Sequence, residues 1–393
     1  MKVLISGLSI AGPSLAYWLI KYGHDVTIVE RAKTLRPGGY GVDIRGAALT
    51  VIERMGIMDD VRAHDTHMGG TYFVNATGKI EGMASEAAVA NQHDDIEIMR
   101  DDLSTILYHL TKDSATYLWG NSIKSMRDTS KGVNVVFQNG EKQTFDIVVG
   151  ADGLHSNVRG LTFGDEKQFL KPLGSYISIF TIDNYKKIDH KSLMYTSAGK
   201  TVGMYSARGN TEAKAMFVFT SDPLSYDYHN QEEQKRILAE KYANETGWET
   251  QTLLKKMQSA DDFYFDAVSQ IHMPSWHKGR VVLVGDAAYG PSPLSGQGSG
   301  LALVGAYILA GELHKAKGDY KKAFTAYEEK ARPFMEKNQK VGAMVAGSMI
   351  ESSALKIRIR TLMLRAPFLM EATFKMVTKV IAKAANSISI ERY

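Results

Sequence analysis

The chain contains no cysteine. That absence excludes disulfides, thiolate metal sites and a redox-active Cys pair, so any electron transfer must run through a bound cofactor. Net charge is also nearly absent. The 47 basic and 43 acidic residues leave +4, which argues against a nucleic-acid partner. No uninterrupted apolar run approaches the ~20 residues that span a bilayer. Residues 1–6 read as a strand followed at once by a glycine turn, not as a signal peptide. No internal repeat or low-complexity segment is evident. What remains is 44% hydrophobic and 23% charged over 393 residues, the profile of a soluble protein with a large core and two or more domains. A cytoplasmic enzyme, working as a monomer, is expected.

Glycine is where the information lies. Gly7-Leu-Ser-Ile-Ala-Gly12 follows the apolar run Val3-Leu4-Ile5 and opens a helix-like stretch from about Ala11 to Tyr22. Asp25 to Glu30 then reads as a second strand, completing a βαβ unit. In such a unit Gly7 allows the tight turn, Gly12 lets helix and strand pack closely, and the helix N-terminus faces a pyrophosphate. Ser9 stands where the fingerprint has its middle glycine. Glu30, 23 positions after Gly7, has the spacing of an acid that binds a ribose hydroxyl. A second segment, Gly150-Ala-Asp152-Gly153-Leu-His-Ser156-Asn-Val-Arg159, follows the buried strand Asp146–Gly150. A third, Gly285-Asp286 to Gly296-Gln297-Gly298, follows the strand Arg280–Val284. In it Asp286 is placed to accept from ribitol hydroxyls. The helix opened by Gly298 can present its N-terminus to a flavin's pyrimidine edge. Together the three segments point to an FAD-dependent enzyme.

Between them lie strands of another kind. Ser175–Ile182, Ser192–Thr196, Val202–Ser206 and Ala213–Phe219 are aromatic-rich and joined by short turns, with a helix pair after them over about 230–260. The expected fold is α/β, a Rossmann-like FAD-binding domain interrupted by an antiparallel β-sheet substrate domain, with C-terminal helices bridging the two. The expected division is 1–68, 96–170 and 275–335 for FAD, 69–95 and 171–274 for substrate, and 336–393 for the C-terminal helices.

The three glycine segments, with Arg100-Asp-Asp-Leu103, resemble the group A FAD-dependent monooxygenases, the para-hydroxybenzoate hydroxylase superfamily, over nearly the whole chain. Within it Gly41-Val-Asp-Ile-Arg45-Gly46, Gly174-Ser-Tyr-Ile177, Asp261 to Ala267 and Ala288 to Ser295 resemble the tetracycline destructases. The resemblance implies FAD contacts from Gly7, Ser9, Gly12, Glu30, Arg31, Arg45, Arg100, Asp152, Asp286, Pro293, Gly296, Gln297 and Gly298. Asp152 and Gly153 match the motif tied to FAD and NADPH use, with Asp152 ordering backbone. Tyr289, Ser292 and Gly300 depart from the family's His, Pro and Asn. The implied reaction takes electrons from NADPH (NADH being the alternative) and O2, and hydroxylates a polycyclic phenol or enol such as tetracycline through a flavin C4a-hydroperoxide, inactivating the antibiotic. It needs no metal and no protein nucleophile, so no catalytic side chain is assigned. Competing readings are a hydroxylase of another aromatic or polyketide, and a flavin-binding protein that sequesters a drug without turnover.

Phe180, Tyr195, Tyr205, Met216 and Phe217 are candidate pocket walls, each weighed against a role in the sheet core. Lys200 and Arg208 read as solvated turns. The segment 351–393 carries eight basic and three acidic residues among Leu355, Ile357, Ile359, Leu362, Met363, Leu369, Met370, Phe374 and Met376. It reads as an amphipathic helix pair broken near Pro367, packing across both domains, with a substrate lid or a membrane-surface helix as alternatives.

Overall fold

The computed structural model describes residues 1–35, 38–85, 95–349, 359 and 367–393. The strand Lys2–Ser6 sits at the centre of a six-stranded sheet. Asp25–Glu30 and then Thr116–Trp119 lie on one side, and Ile147–Gly150, Val281–Leu283 and His277–Lys278 on the other. All pairings are parallel except the last. Apart from the exposed Lys2 and Asp25 and the half-buried Glu30 at strand ends, the inner strands are buried, as expected for a parallel sheet covered on both faces. Helices Ala11–Lys21 and Gly298–Lys315 pack against one another over this sheet. This is the α/β, Rossmann-like arrangement that the glycine spacing predicts.

A seven-stranded sheet interrupts it. Its order is Tyr264–Ile271, Leu170–Asp183, Glu212–Thr220, Lys200–Ala207, Ser192–Ser197, Gly70–Val74 and Ile80–Ser85. One pairing, Ser192–Ser197 with Gly70–Val74, is parallel because the partner comes from a separate stretch of chain and not from a hairpin. Helices Gln231–Tyr242 and Thr250–Met257 cover one face. The opposite face turns toward the six-stranded frame, where Ile177, Ile179, Val218 and Val268 meet Tyr40, Leu294 and Ala346.

Helix Tyr320–Met349 runs along the junction, and helix Pro367–Ala385 bridges both parts. It starts at Pro367, whose missing N–H is harmless in a first turn. Phe374 meets Phe73 of the large sheet, while Ile381 and Ala384 pack on Val341. A Cβ on Gly46 would lie 2.7 Å from Ala385 O. Leu355, Ile357, Leu362 and Met363 lie outside the described residues, as do the side chains of Leu369 and Met370; Met376 is exposed. The last segment returns to the frame. Arg54 donates to Ile390 O at 3.0 Å and Glu391 O at 2.6 Å, and Tyr393 packs on Gly311, its hydroxyl donating to Glu312 at 2.7 Å.

Candidate flavin site

Gly7 holds φ +106°, and a Cβ there would lie 2.4 Å from Ala151 O. On Gly12 it would lie 2.0 Å from Gly7 O. Both positions demand glycine, one for close approach of the second segment, the other for the turn itself. Helix Ala11–Lys21 has Ile10 before it and no side-chain cap. Helix Gly298–Lys315 likewise starts uncapped at Gln297. By contrast Asn157–Phe163 is capped by Ser156 Oγ, which accepts from Arg159 N at 3.0 Å. These two helices follow the first and third glycine segments, and their first-turn amides remain available to an acceptor.

The helix Arg100–His109 grips the first turn from the side. Arg100 donates to Ser9 Oγ at 3.0 Å, and Ser104 Oγ donates to Ser9 O at 2.7 Å. Ser104 was not singled out from the sequence, because a lone serine inside a helix carries no signal. Glu30 accepts from Leu8 N at 3.0 Å and Ala32 N at 2.8 Å, so it orders the turn it follows. Arg31 lies at the surface against His229, 3.2 Å away.

In the second segment Asp152 accepts from Val158 N at 3.1 Å, from Ser6 Oγ and from Ser156 Oγ. Burial raises its carboxyl above the ordinary range, opposed by those bonds. Arg159, fully buried, donates to Ala287 O at 3.0 Å and pairs with Glu166, joining the second segment to the third.

The third segment is the most tightly held. Gln270 Nε2 donates to Pro291 O at 2.9 Å and Gln339 O at 2.6 Å, while Gln339 Nε2 donates to Ile271 O at 2.6 Å. A Cβ on Gly342 would lie 2.4 Å from Pro291 O. Ser292 adopts φ +99°, a conformation disfavoured for a side-chain-bearing residue, with its Oγ accepting from Leu294 N at 3.3 Å. Tyr289, in place of histidine, is buried with its hydroxyl 3.2 Å from that of Tyr327 and over Gly305.

The donor set suits FAD. Asp286 faces an open recess although protein surrounds it, and burial alone pushes its carboxyl up to about 6. No described residue hydrogen-bonds to it, and Gly298, where a Cβ would lie 3.8 Å from Oδ1, adjoins it. Gln297 is 4% exposed with its Nε2 lacking a protein partner. An unmatched acceptor and donor on either side of Pro293 and Gly296 are what ribitol hydroxyls and a ring carbonyl would satisfy. Asp43 and Arg45 also reach this loop. A Cβ on Gly296 would lie 2.5 Å from Asp43 Oδ2, and Arg45 pairs with Asp43 at 2.9 Å. The family resemblance placed Arg45 here and passed over Asp43, which lies two residues before it on the strand Gly41–Ile44.

The five candidate wall residues separate. Phe180, Tyr195 and Phe217 are buried among Tyr176, Tyr242 and Phe263 under the two helices, on the face turned away from the frame, and so line no pocket there. Met216 and Tyr205 occupy the other face. Arg208 is no solvated turn: it donates to Asp102 at 2.9 Å and pairs with Asp101, tying the large sheet to the cofactor frame. Lys200 lies over the Tyr242 ring at 5.2 Å.

The family described as FAD binding domain matches residues 1–341. A flavin-dependent monooxygenase from an unknown prokaryotic organism is 40% identical over 395 residues, covering all of this chain and 99% of that protein. The crystal structure of tetracycline destructase Tet(55) superposes with a TM-score of 0.85 at 40% identity, over all of this chain and 98% of the other. That of Tet(51) gives 0.88 at 37%, over all of this chain and 99% of the other. With its cofactor loops and large sheet matched end to end in this way, the chain belongs to the group A FAD-dependent monooxygenases, in the branch that contains the tetracycline destructases.

Proposed function

We propose that this enzyme oxidises a flat, multi-ring phenol or enol of the tetracycline type, consuming NADPH and O2, and so confers resistance to that antibiotic in the cytoplasm. In this reading residues 1–68, 96–170 and 275–335 hold FAD, 69–95 and 171–274 hold substrate, and 336–393 close the junction. Gly7, Ser9, Gly12 and Arg100 serve the pyrophosphate and Glu30 the ribose. Asp286 serves the ribitol, and Pro293 with Gly296 to Gly298 lines the ring. Bound FAD supplies the electrons that activate oxygen.

The observation that carries the substrate class is one cross-strand row. Tyr264, Ile179, Met216, Gly203, Met194 and Phe73 are successive register partners across six strands. Tyr264, Met216, Met194 and Phe73 are only half-buried, on the face where Leu294 and Tyr40 approach. A Cβ on Gly203 would lie 2.4 Å from Met194 Sδ, so glycine lets that thioether lie against the sheet. The result is a low, apolar, polarisable floor, suited to a planar polycycle and to keeping water from the reacting atoms. The names of the two superposed structures support the same substrate.

The test is NADPH oxidation by the yellow protein with and without tetracycline, followed by mass spectrometry. Tetracycline-dependent oxidation with a product heavier by one oxygen supports the proposal. Flavin-loaded protein indifferent to the drug removes tetracycline and turns the search to other phenols, and binding without NADPH consumption indicates sequestration. Asp286→Ala is expected to purify with little FAD; a fully yellow variant would contradict the ribitol role.

A further inference from the structure

Two carboxylates face each other where the flavin loop meets the large sheet. Asp43 on Gly41–Ile44 is the register partner of Glu97 on Ile96–Met99. Directly opposed side chains in an antiparallel pair lie about 4.5–5.5 Å apart at Cβ, and two like charges held there repel unless one takes a proton. The nearby cation is shared. Arg45 pairs with Asp43 at 2.9 Å and reaches Asp95 at 3.5 Å. Glu97 accepts instead from Thr66 Oγ1 at 2.7 Å. Asp65 and Tyr205 are the remaining titratable groups whose charges reach it. Burial first, and then the charge of Asp43, push Glu97 up to about 7; burial also raises Asp43, opposed by Arg45. The pair abuts the ring-lining loop through Gly296 and Asp43 Oδ2, and the next side chain, Gln297, is buried with an unpartnered Nε2.

We propose that Asp43 and Glu97 share a single proton site that is only partly filled at physiological pH in the oxidised holoenzyme, and that Glu97 fills it more completely when FAD is reduced beside it. The inference rests on the placement of the ring at Gly296–Gly298. In a dithionite titration the electrons enter FAD and the proton passes from buffer to the Glu97 carboxylate. By reciprocity, loss of that proton at higher pH weakens binding of reduced FAD relative to oxidised FAD.

The measurement is proton uptake on reduction of the holoenzyme, followed with a pH indicator, together with the flavin's reduction potential from pH 5.5 to 8.5. Wild type should show uptake beyond that of free FAD and a roughly tenfold loss in relative affinity for reduced FAD across that range; Glu97→Gln should show neither. Should Glu97→Gln fail to fold, Thr66→Val serves. It removes the hydrogen bond that favours ionised Glu97, so the inflection should move to higher pH. Unchanged uptake and inflection in these variants overturn the proposal. Gly296→Ala tests the placement separately: a flavin spectrum unmoved by that change puts the ring elsewhere and overturns both readings, whereas a shifted spectrum with unaltered Glu97→Gln behaviour overturns the proton proposal alone.

Discussion

The two faces of the seven-stranded sheet are made by alternate residues of the same strands, yet they differ in kind. On the face under helices Gln231–Tyr242 and Thr250–Met257, Tyr176, Phe180, Phe217, Phe219 and Phe265 stack in a closed aromatic core. Phe217 meets Phe180 at 6.0 Å and Tyr242 at 5.0 Å between ring centres. On the face toward the cofactor frame the register partners are methionines, a glycine and half-buried aromatics. One face is filled by rigid rings and the other is floored by side chains that can move. The first sets stability, and the second is the face proposed to take the ligand.

This contrast can be broken from either side. Phe217→Ala should cost about 3–5 kcal/mol of stability, read as a large fall in Tm, with little change in KM for whatever enzyme survives. An equal change in KM would mean the closed core also shapes the pocket. A smaller effect lies at the rim. His155 bridges Glu166 at 2.7 Å and Asp266, on the frame-facing side of the sheet, at 3.1 Å. Burial opposes its charge, but the hydrogen bonds it donates to Asp266 and Glu166 outweigh this and raise the imidazole to about 9. Because the folded value lies above the unfolded 6.5, the stabilisation is complete below that pH and is lost as pH rises through 9. His155→Asn should therefore cost on the order of 2 kcal/mol at pH 6 and progressively less as pH rises from 6.5 to 9, beyond which this contribution is gone; a pH-independent cost would rule out the ion pairs. The smallest stability effect belongs to the open face. Gly203→Val should change stability by under about 1 kcal/mol, since Met194 can swing aside, but raise KM for a polycyclic substrate roughly tenfold. If stability falls and KM does not, the floor is ordinary core.

How much was legible beforehand follows the range of each signal. The βαβ turn, the three glycine segments and the strands of residues 171–220 are local patterns, and they were readable. Alternation also divides Phe180 and Phe217 from Met216. Which face would be sealed by helices depends on packing, so Phe180, Tyr195 and Phe217 could not be told from Tyr205 and Met216 by pattern. The Asp43–Glu97 opposition, the Gln270–Gln339 clamp and the Arg208 bridge join residues far apart in sequence by register or by packing. None leaves a trace in a short window.

The topology also sets an order of events as the chain is made. The strands Ser192–Ser197, Lys200–Ala207 and Glu212–Thr220 form consecutive hairpins, local contacts that assemble quickly; Leu170–Asp183 adds to the last of them, and the helices that seal their aromatic face follow directly. The parallel frame is different, since Val3 pairs with Ile147 and Val148 with Val281. During synthesis the methionine-bearing face therefore waits, wet and adhesive, until the strand at 281–283 has emerged and the frame can close over it. Capture of FAD is then a late step, and a chain short of its cofactor is expected to be lost to aggregation through that waiting surface.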